Sequence, residues 1–386
     1  MLAAIPWSDV AVEAVFFVAG VVVAVAIAEY IDWRQERAAK RKEYDDWMQR
    51  KRGKEKPMVA RRDDSHTALE PAPMRSGSPV AMEGPPSWWK GRRVLCTGSE
   101  GLIGQPLCSQ LEEAEAILIP YDITDKESDV MDMRGLRKTF ASYKPSVIYH
   151  MAAVSGVPQY QLRPYESHRL NIMGTLNVLQ ACHESSVDAV IIPSSNHIYG
   201  HQRIMPVDEE ATLRQLEPYS AGKIAADYLA RSYAHFYGLP VTVVRNTNCY
   251  GPHDPHMDHI VPGTIRSVMK GERPVIRGRG LTKKAYLYAG DVAEAFMLLG
   301  ERQGCLPDKG EAFNVSTGNI SVLDLVSYIT RLMGSEIKPV VEGNGDDLAD
   351  EGLDVSKLVD ATGWKPRHTL EEGLRKTING FKERYG

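Results

Sequence analysis

Tyr219 and Lys223 stand four residues apart in the run EPYSAGKIAADYLARSYAHFYG, whose pattern predicts a helix. Positions i and i+4 share one helix face, so a phenol and an ammonium meet there. An ammonium nearby favours the phenolate and draws a tyrosine pKa down from about 10 towards neutrality. Such a group can take the proton of an alcohol while hydride leaves the same carbon. Ser195, at the end of the apolar run DAVIIPSS, is placed to hydrogen-bond that oxygen. A Tyr-x-x-x-Lys pair alone is a common accident of helix surfaces, so this chemistry stands only if something nearby accepts hydride.

The acceptor's site is written in residues 92–104, RRVLCTGSEGLIG. A short strand over 94–96 runs into Gly98, Gly101, Leu102, Ile103 and Gly104, after which an amphipathic stretch begins. Glycines at this spacing let the backbone turn tightly, approach a pyrophosphate and pack a helix on a strand, and the helix N-terminus offers free N–H groups. A second strand over 116–119 leads to Asp122, whose carboxylate suits two ribose hydroxyls and would repel a 2′-phosphate. With no arginine beside it to hold such a phosphate, the expected cofactor is NAD rather than NADP. The alternation continues through SVIYHMAA (146–153), DAVIIPSS (188–195) and PVTVVRN (240–246). That is the pattern of an α/β, Rossmann-type, doubly wound parallel sheet, with ligands at the strands' C-terminal ends.

With HMAA (150–153), NIMGTLNVL (171–179), SSNHIYG (194–200), RNTNCYGP (245–252), YLYAGDVAEA (286–295) and TGWKP (362–366), the chain from about 92 to 381 resembles the extended short-chain dehydrogenase/reductases, the group of nucleotide-sugar epimerases and dehydratases. The stretch IVPGTIRSVMKGERPVI (260–276) is most similar to the branch holding CDP-glucose 4,6-dehydratases. The resemblance implies that Asp129 and Val130 lie beside the adenine, and that Ala152 and Ala153 line the cofactor. It implies Asn171 on the helix supporting the nicotinamide side, and Asn248 facing the sugar. Bland alternatives stand beside these: a helix cap for Asn171, simple core for Val130. The family often carries Arg-Asp-Phe after its Gly-x-Gly, where this chain reads Lys284-Ala285-Tyr286. Lys284 keeps a cation for a phosphate without the bidentate fork. The helices bearing Asn171 and Tyr219 usually pair as a four-helix bundle, which implies a homodimer.

The departure lies after Ser195. Where 4,6-dehydratases hold an acidic Asp and then a Glu or Lys, this chain has Asn196 and His197. An amide cannot be a general acid, whereas an imidazole can donate or accept a proton near pH 7; the other reading of His197 is a hydrogen-bonded strap. Water loss is therefore compromised and epimerisation is not. His253, His256 and His259, with Asp254 and Asp258 between them, are too loosely spaced for a tight metal site. They are expected to be substrate-loop or exposed-loop residues, with no metal.

Around these elements the chain has 386 residues, 43% of them apolar and 25% charged, with a formal charge of −4. Those proportions exclude a disordered or multi-span protein and offer no general basis for nucleic-acid binding. Five scattered cysteines form neither a disulfide framework nor a C-x-x-C pattern. Residues 14–28, AVFFVAGVVVAVAIA, carry no polar side chain, and a helix over 11–31 would rise roughly 31 Å, about one hydrocarbon thickness. No Lys or Arg precedes it, whereas Arg34, Arg37, Lys40, Arg41 and Lys42 follow, so the C-terminal side is expected in the cytoplasm. Competing readings are a cleaved signal peptide and a buried soluble helix. The expected organisation is a membrane anchor over 1–33, a charged stalk and flexible linker over 34–88, an NAD-binding domain over 89–250, and a mainly substrate-binding part over 251–386 with segments returning to the first sheet. The expected activity is an NAD-dependent nucleotide-sugar epimerase oxidising C4 transiently. A 4,6-dehydratase using His197, a dehydrogenase releasing NADH and a non-catalytic NAD-binding membrane scaffold are the alternatives.

Overall fold

A computed structural model of the protein describes residues 88–306, 309–343 and 351–385. The strands are β1 Arg93–Thr97, β2 Ile117–Tyr121, β3 Val147–His150, β4 Ala189–Pro193, β5 Val241–Asn246, β6 Asn248–Tyr250, β7 Val275–Arg277, β8 Lys283–Tyr288, β9 Glu311–Val315, β10 Asn319–Ser321 and β11 Val340–Glu342. Six of them form a parallel sheet in the order β2-β1-β3-β4-β5-β9. Helices cover both faces, so strand residues on both faces must be apolar. Val94 and Cys96 pack into one layer with Tyr149, Phe296 and Phe313. Leu95 packs into the other with Ile148, Val190 and Val243. Chain order reverses on either side of β1, and the crevice beyond the ends of β1 and β3 is where such a sheet receives a ligand.

β5 ends at Asn246, and the chain crosses at Thr247 into a second sheet, β10-β8-β6. The crossing thus falls three residues earlier than the expected boundary at 250. The return of later segments appears as the helix Ala289–Arg302, packed in the β1 layer, and as β9 on the edge of the main sheet. A third core, with Tyr250, Val261, Ile265, Leu325, Leu374 and Phe381, holds the smaller lobe together. Among the described residues no helix is long and apolar enough to cross a membrane. The expected anchor over 1–33 and, apart from Trp88, the stalk and linker over 34–88 lie outside the described residues.

Candidate active site

The glycine loop follows β1 directly. Gly98 has a φ of +67°, and a Cβ there would lie 2.6 Å from the Ala152 amide nitrogen, so only glycine lets β1's exit lie against the end of β3. At Gly104 a Cβ would stand 2.1 Å from the Gly98 carbonyl, which closes the first helical turn onto the loop. Gly101 meets only that carbonyl, at 3.2 Å, and Leu102 and Ile103 carry the loop into the helix Gly104–Glu113. Asp122, just past β2, accepts from the Glu100 N–H at 3.0 Å and the Thr124 N–H at 3.0 Å, which sets its carboxylate at the loop's edge. Ser99 Oγ is buried with no protein partner. A glycine cradle, an orphaned hydroxyl and a carboxylate beside it fit the pyrophosphate and ribose of NAD.

Asp129 accepts from the Met131 N–H at 2.8 Å, while Val130 is buried in the core, its carbonyl accepting from Asn177 at 3.0 Å. Ala152 donates its N–H to Thr97 Oγ1 at 3.2 Å and Ala153 is exposed at the crevice rim.

The helix Pro218–Tyr237 begins under Glu217, whose carboxylate accepts from the N–H groups of Tyr219 (2.8 Å) and Ser220 (3.1 Å). This cap fixes the first turn and with it the phenol. Tyr219 is hydrogen-bonded to Ser195, the residue that caps the 3₁₀ turn Asn196–Tyr199 after β4. The His197 ring stands edge-on to Tyr219, with centroids 5.8 Å apart. Ser195, Tyr219 and His197 thus share one site.

Lys223 departs from the expected pairing. Its ammonium donates to the Pro193 carbonyl at 3.2 Å, and burial lowers it to about 8. Burial pushes the Tyr219 phenol up to about 12, with only the Ser195 hydrogen bond acting against it. The expected depression of the phenol by Lys223 is absent because the ammonium is directed at the end of β4 and desolvation dominates the phenol.

On the substrate side three distant segments converge on a residue that sequence reading missed. Glu351 accepts from Asn196 Nδ2 at 3.0 Å, Asn248 Nδ2 at 3.1 Å and Lys284 Nζ at 2.8 Å. Burial pushes this carboxyl up, but the Lys284 ammonium, His197 and the Asn248 amide outweigh it and hold it below the ordinary value. Nothing in the sequence marks a glutamate 155 positions from Asn196 as its partner. Lys284 is therefore ion-paired within the protein. An open cleft of about 450 Å³ between the segment after β3 and the smaller lobe offers Arg266 and Arg277, with Gln159, His256 and Asp258 also on its wall.

Asn171 is not brought to this group. It is buried in the π-helical segment Arg169–Gly174 and its amide is used on the loop after β3: Oδ1 accepts from the Val154 N–H at 2.8 Å, and Nδ2 donates to Val154 O at 2.9 Å and Tyr160 OH at 2.5 Å. His259 pairs with the buried Asp254 at 2.9 Å, His256 Nε2 lies 2.9 Å from Ser155 Oγ, and His253 accepts from Arg384 at 3.1 Å. Among the described residues no three His, Cys, Asp or Glu side chains converge as a metal site.

Residues 94–316 match the model of the NAD dependent epimerase/dehydratase family. The dTDP-D-glucose 4,6-dehydratase of Bos taurus is 27% identical over 331 residues, covering 78% of this chain and 92% of the relative. The UDP-glucose 4-epimerase of Mycolicibacterium smegmatis is 28% identical, covering 76% and 99%. Among solved structures, a UDP-glucose 4-epimerase with UDP-glucose from Thermotoga maritima superposes with a TM-score of 0.70 at 26% identity, covering 76% of this chain and 100% of that one.

Proposed function

This chain belongs to the NAD dependent epimerase/dehydratase family, and from that premise we propose that it is a nucleotide-sugar epimerase working through a transient ketone at C4. The chemistry NAD brings when bound is reversible hydride acceptance, with no net redox over the cycle. Ser195 holds the sugar oxygen and the phenol together, and Tyr219 exchanges the hydroxyl proton. Burial holds that phenol far above neutrality and within the protein only the Ser195 hydrogen bond opposes this, while Lys223, charged at neutral pH, is turned to the Pro193 carbonyl. With Lys284 neutralised by Glu351, Arg266 and Arg277 are the cations for the diphosphate end.

The observation that carries epimerisation over dehydration is the missing acid. Asn196 has no acidic proton and donates its amide to Glu351; Glu351 is kept ionised by Lys284. A 4,6-dehydratase is the second reading, favoured by the His197 ring against Tyr219, an imidazole placed where it could protonate a departing hydroxyl. Incubating the chain with CDP-, UDP-, dTDP- and GDP-hexoses and resolving products by mass separates the two. Isomers of unchanged mass support the epimerase, and loss of 18 Da overturns it.

Two features of the larger assembly belong to the same reading. The apolar run 14–28 anchors the enzyme, with the catalytic domain on the side of the following basic residues. Two copies pair through the helices of Asn171 and Tyr219, which leave Met173, Tyr228 and Phe236 exposed.

A further inference from the structure

Resting on the reading of Tyr219 as the group that exchanges the sugar's proton, we propose that Tyr160 is a positioning residue. Its ring, latched by Asn171 and admitted by Gly222, holds the Tyr219 ring in the orientation that proton transfer needs.

The hydroxyl end of Tyr219 has a holder in Ser195, while Lys223 is turned to the Pro193 carbonyl. The cap at Glu217 sets where the side chain starts, and its two torsions are settled by what the ring touches. Two rings stand edge-on to it: His197, and Tyr160 with centroids 5.6 Å apart at 79°. In that arrangement the positive edge of one ring meets the negative face of the other. Tyr160 comes from another part of the fold, the short helix Val157–Leu162 after β3, and is fully buried.

Three contacts make Tyr160 a fixed support. Its hydroxyl accepts from Asn171 Nδ2 at 2.5 Å and donates to the Ser167 carbonyl at 3.4 Å, so lone pair and proton are both committed. The His168 ring stands edge-on to it, with centroids 5.0 Å apart. On the Tyr219 helix itself, a Cβ at Gly222 would lie 2.5 Å from the Tyr160 oxygen and 3.1 Å from its Cζ. Glycine inside a helix costs stability against alanine; here it leaves the room that the Tyr160 hydroxyl fills. Burial, with Tyr219 and Glu217 adding to it, holds the Tyr160 phenol above its ordinary value against the Asn171 bond. Tyr160 is therefore a neutral support and not a second base. Asn171 gains a purpose as well: its amide, on the π-helical turn, acts on the Tyr219 ring through one intermediary.

The test uses the full-length chain with NAD and two readouts. The first needs no turnover: 3-fluorotyrosine placed at position 219 has two distinguishable ring orientations. A held ring gives a resolved fluorine line for each, and a turning ring gives one averaged line. Wild type is expected to show resolved lines, Tyr160→Phe to keep them and Tyr160→Leu to average them. The second readout is the single-turnover 340 nm transient with the same four nucleotide hexoses. Tyr160→Leu should slow it roughly 10- to 100-fold at saturating sugar, the scale of a misplaced reacting group, with KM and NAD content unchanged. Gly222→Ala should slow it likewise, and adding Tyr160→Phe to Gly222→Ala should restore most of the rate, because the obstructing oxygen is gone. A merely structural Tyr160 would lose NAD and thermal stability along with rate and would give no such rescue. An averaged line in wild type, the same lines in wild type and Tyr160→Leu, or absence of the rescue overturns the inference while the nucleotide-sugar reading survives. Absence of a 340 nm transient with every sugar overturns that reading, and the fluorine lines then decide for or against Tyr160 on their own.

Discussion

At the residue scale, the proposed choice between moving hydride and losing water rests on two features, the Ser195–Tyr219 pair and the amide at Asn196. Tyr219→Phe removes the proton-transferring hydroxyl while leaving the buried ring. Turnover should fall about 10²–10⁴-fold with NAD still bound, as shown by the 340 nm transient against cofactor content. Asn196→Asp restores a carboxyl beside Glu351, and a like charge that close raises a carboxyl pKa, favouring the acid form. The variant should release a product 18 Da lighter, detected by mass, where the parent gives none. Ser195, Tyr219, Lys223 and the glycines were legible because their spacing is local. Glu351 was not, because its meaning comes from Asn196, Asn248 and Lys284, which only the tertiary fold assembles. The pairing of Lys223 with Pro193 O was hidden for the same reason: i and i+4 fixes a face, not the partner a long side chain chooses.

At the element scale, five strands of the main sheet were readable, most ends to within two residues and the end of β3 overshot by three, since apolar runs bounded by turns map onto buried strands; β6 to β11 were not read from the sequence. The π-helical widening at Arg169–Gly174 left no signal in the sequence, yet it links cofactor loop and helix. His150 lies 2.8 Å from Thr97 Oγ1 and 3.1 Å from Thr175 Oγ1, and Thr175 donates to the Asn171 carbonyl at 2.7 Å. Burial, with the Lys223 charge adding to it, lowers the His150 pKa to about 3 from 6.5. The unfolded chain therefore binds more protons than the folded one between these values, so stability is lost as pH falls from about 6.5 towards 3. Denaturant titrations across that window should show the decline, and His150→Gln should flatten it while lowering stability at pH 7.

At the scale of the whole molecule, the apolar run ahead of the catalytic domain predicts that the intact chain stays with membranes after an alkaline carbonate wash. A chain beginning at residue 88 should be recovered in the supernatant with its fold intact by circular dichroism; release of the intact chain by the wash would refute the anchor. The smaller lobe is joined to the main sheet at neighbouring strands, β5 into β6 and β9 into β10, and the two crossings are tied by the Thr247 N–H on the Val315 carbonyl at 3.0 Å. Exchanging the lobe therefore takes matched splices: those at 247 and 316, tied to each other, and further ones around the helices Ala289–Arg302 and Ser356–Thr362, which return to the main core. A junction at any one of them alone would join a strap of one parent to the seam of another.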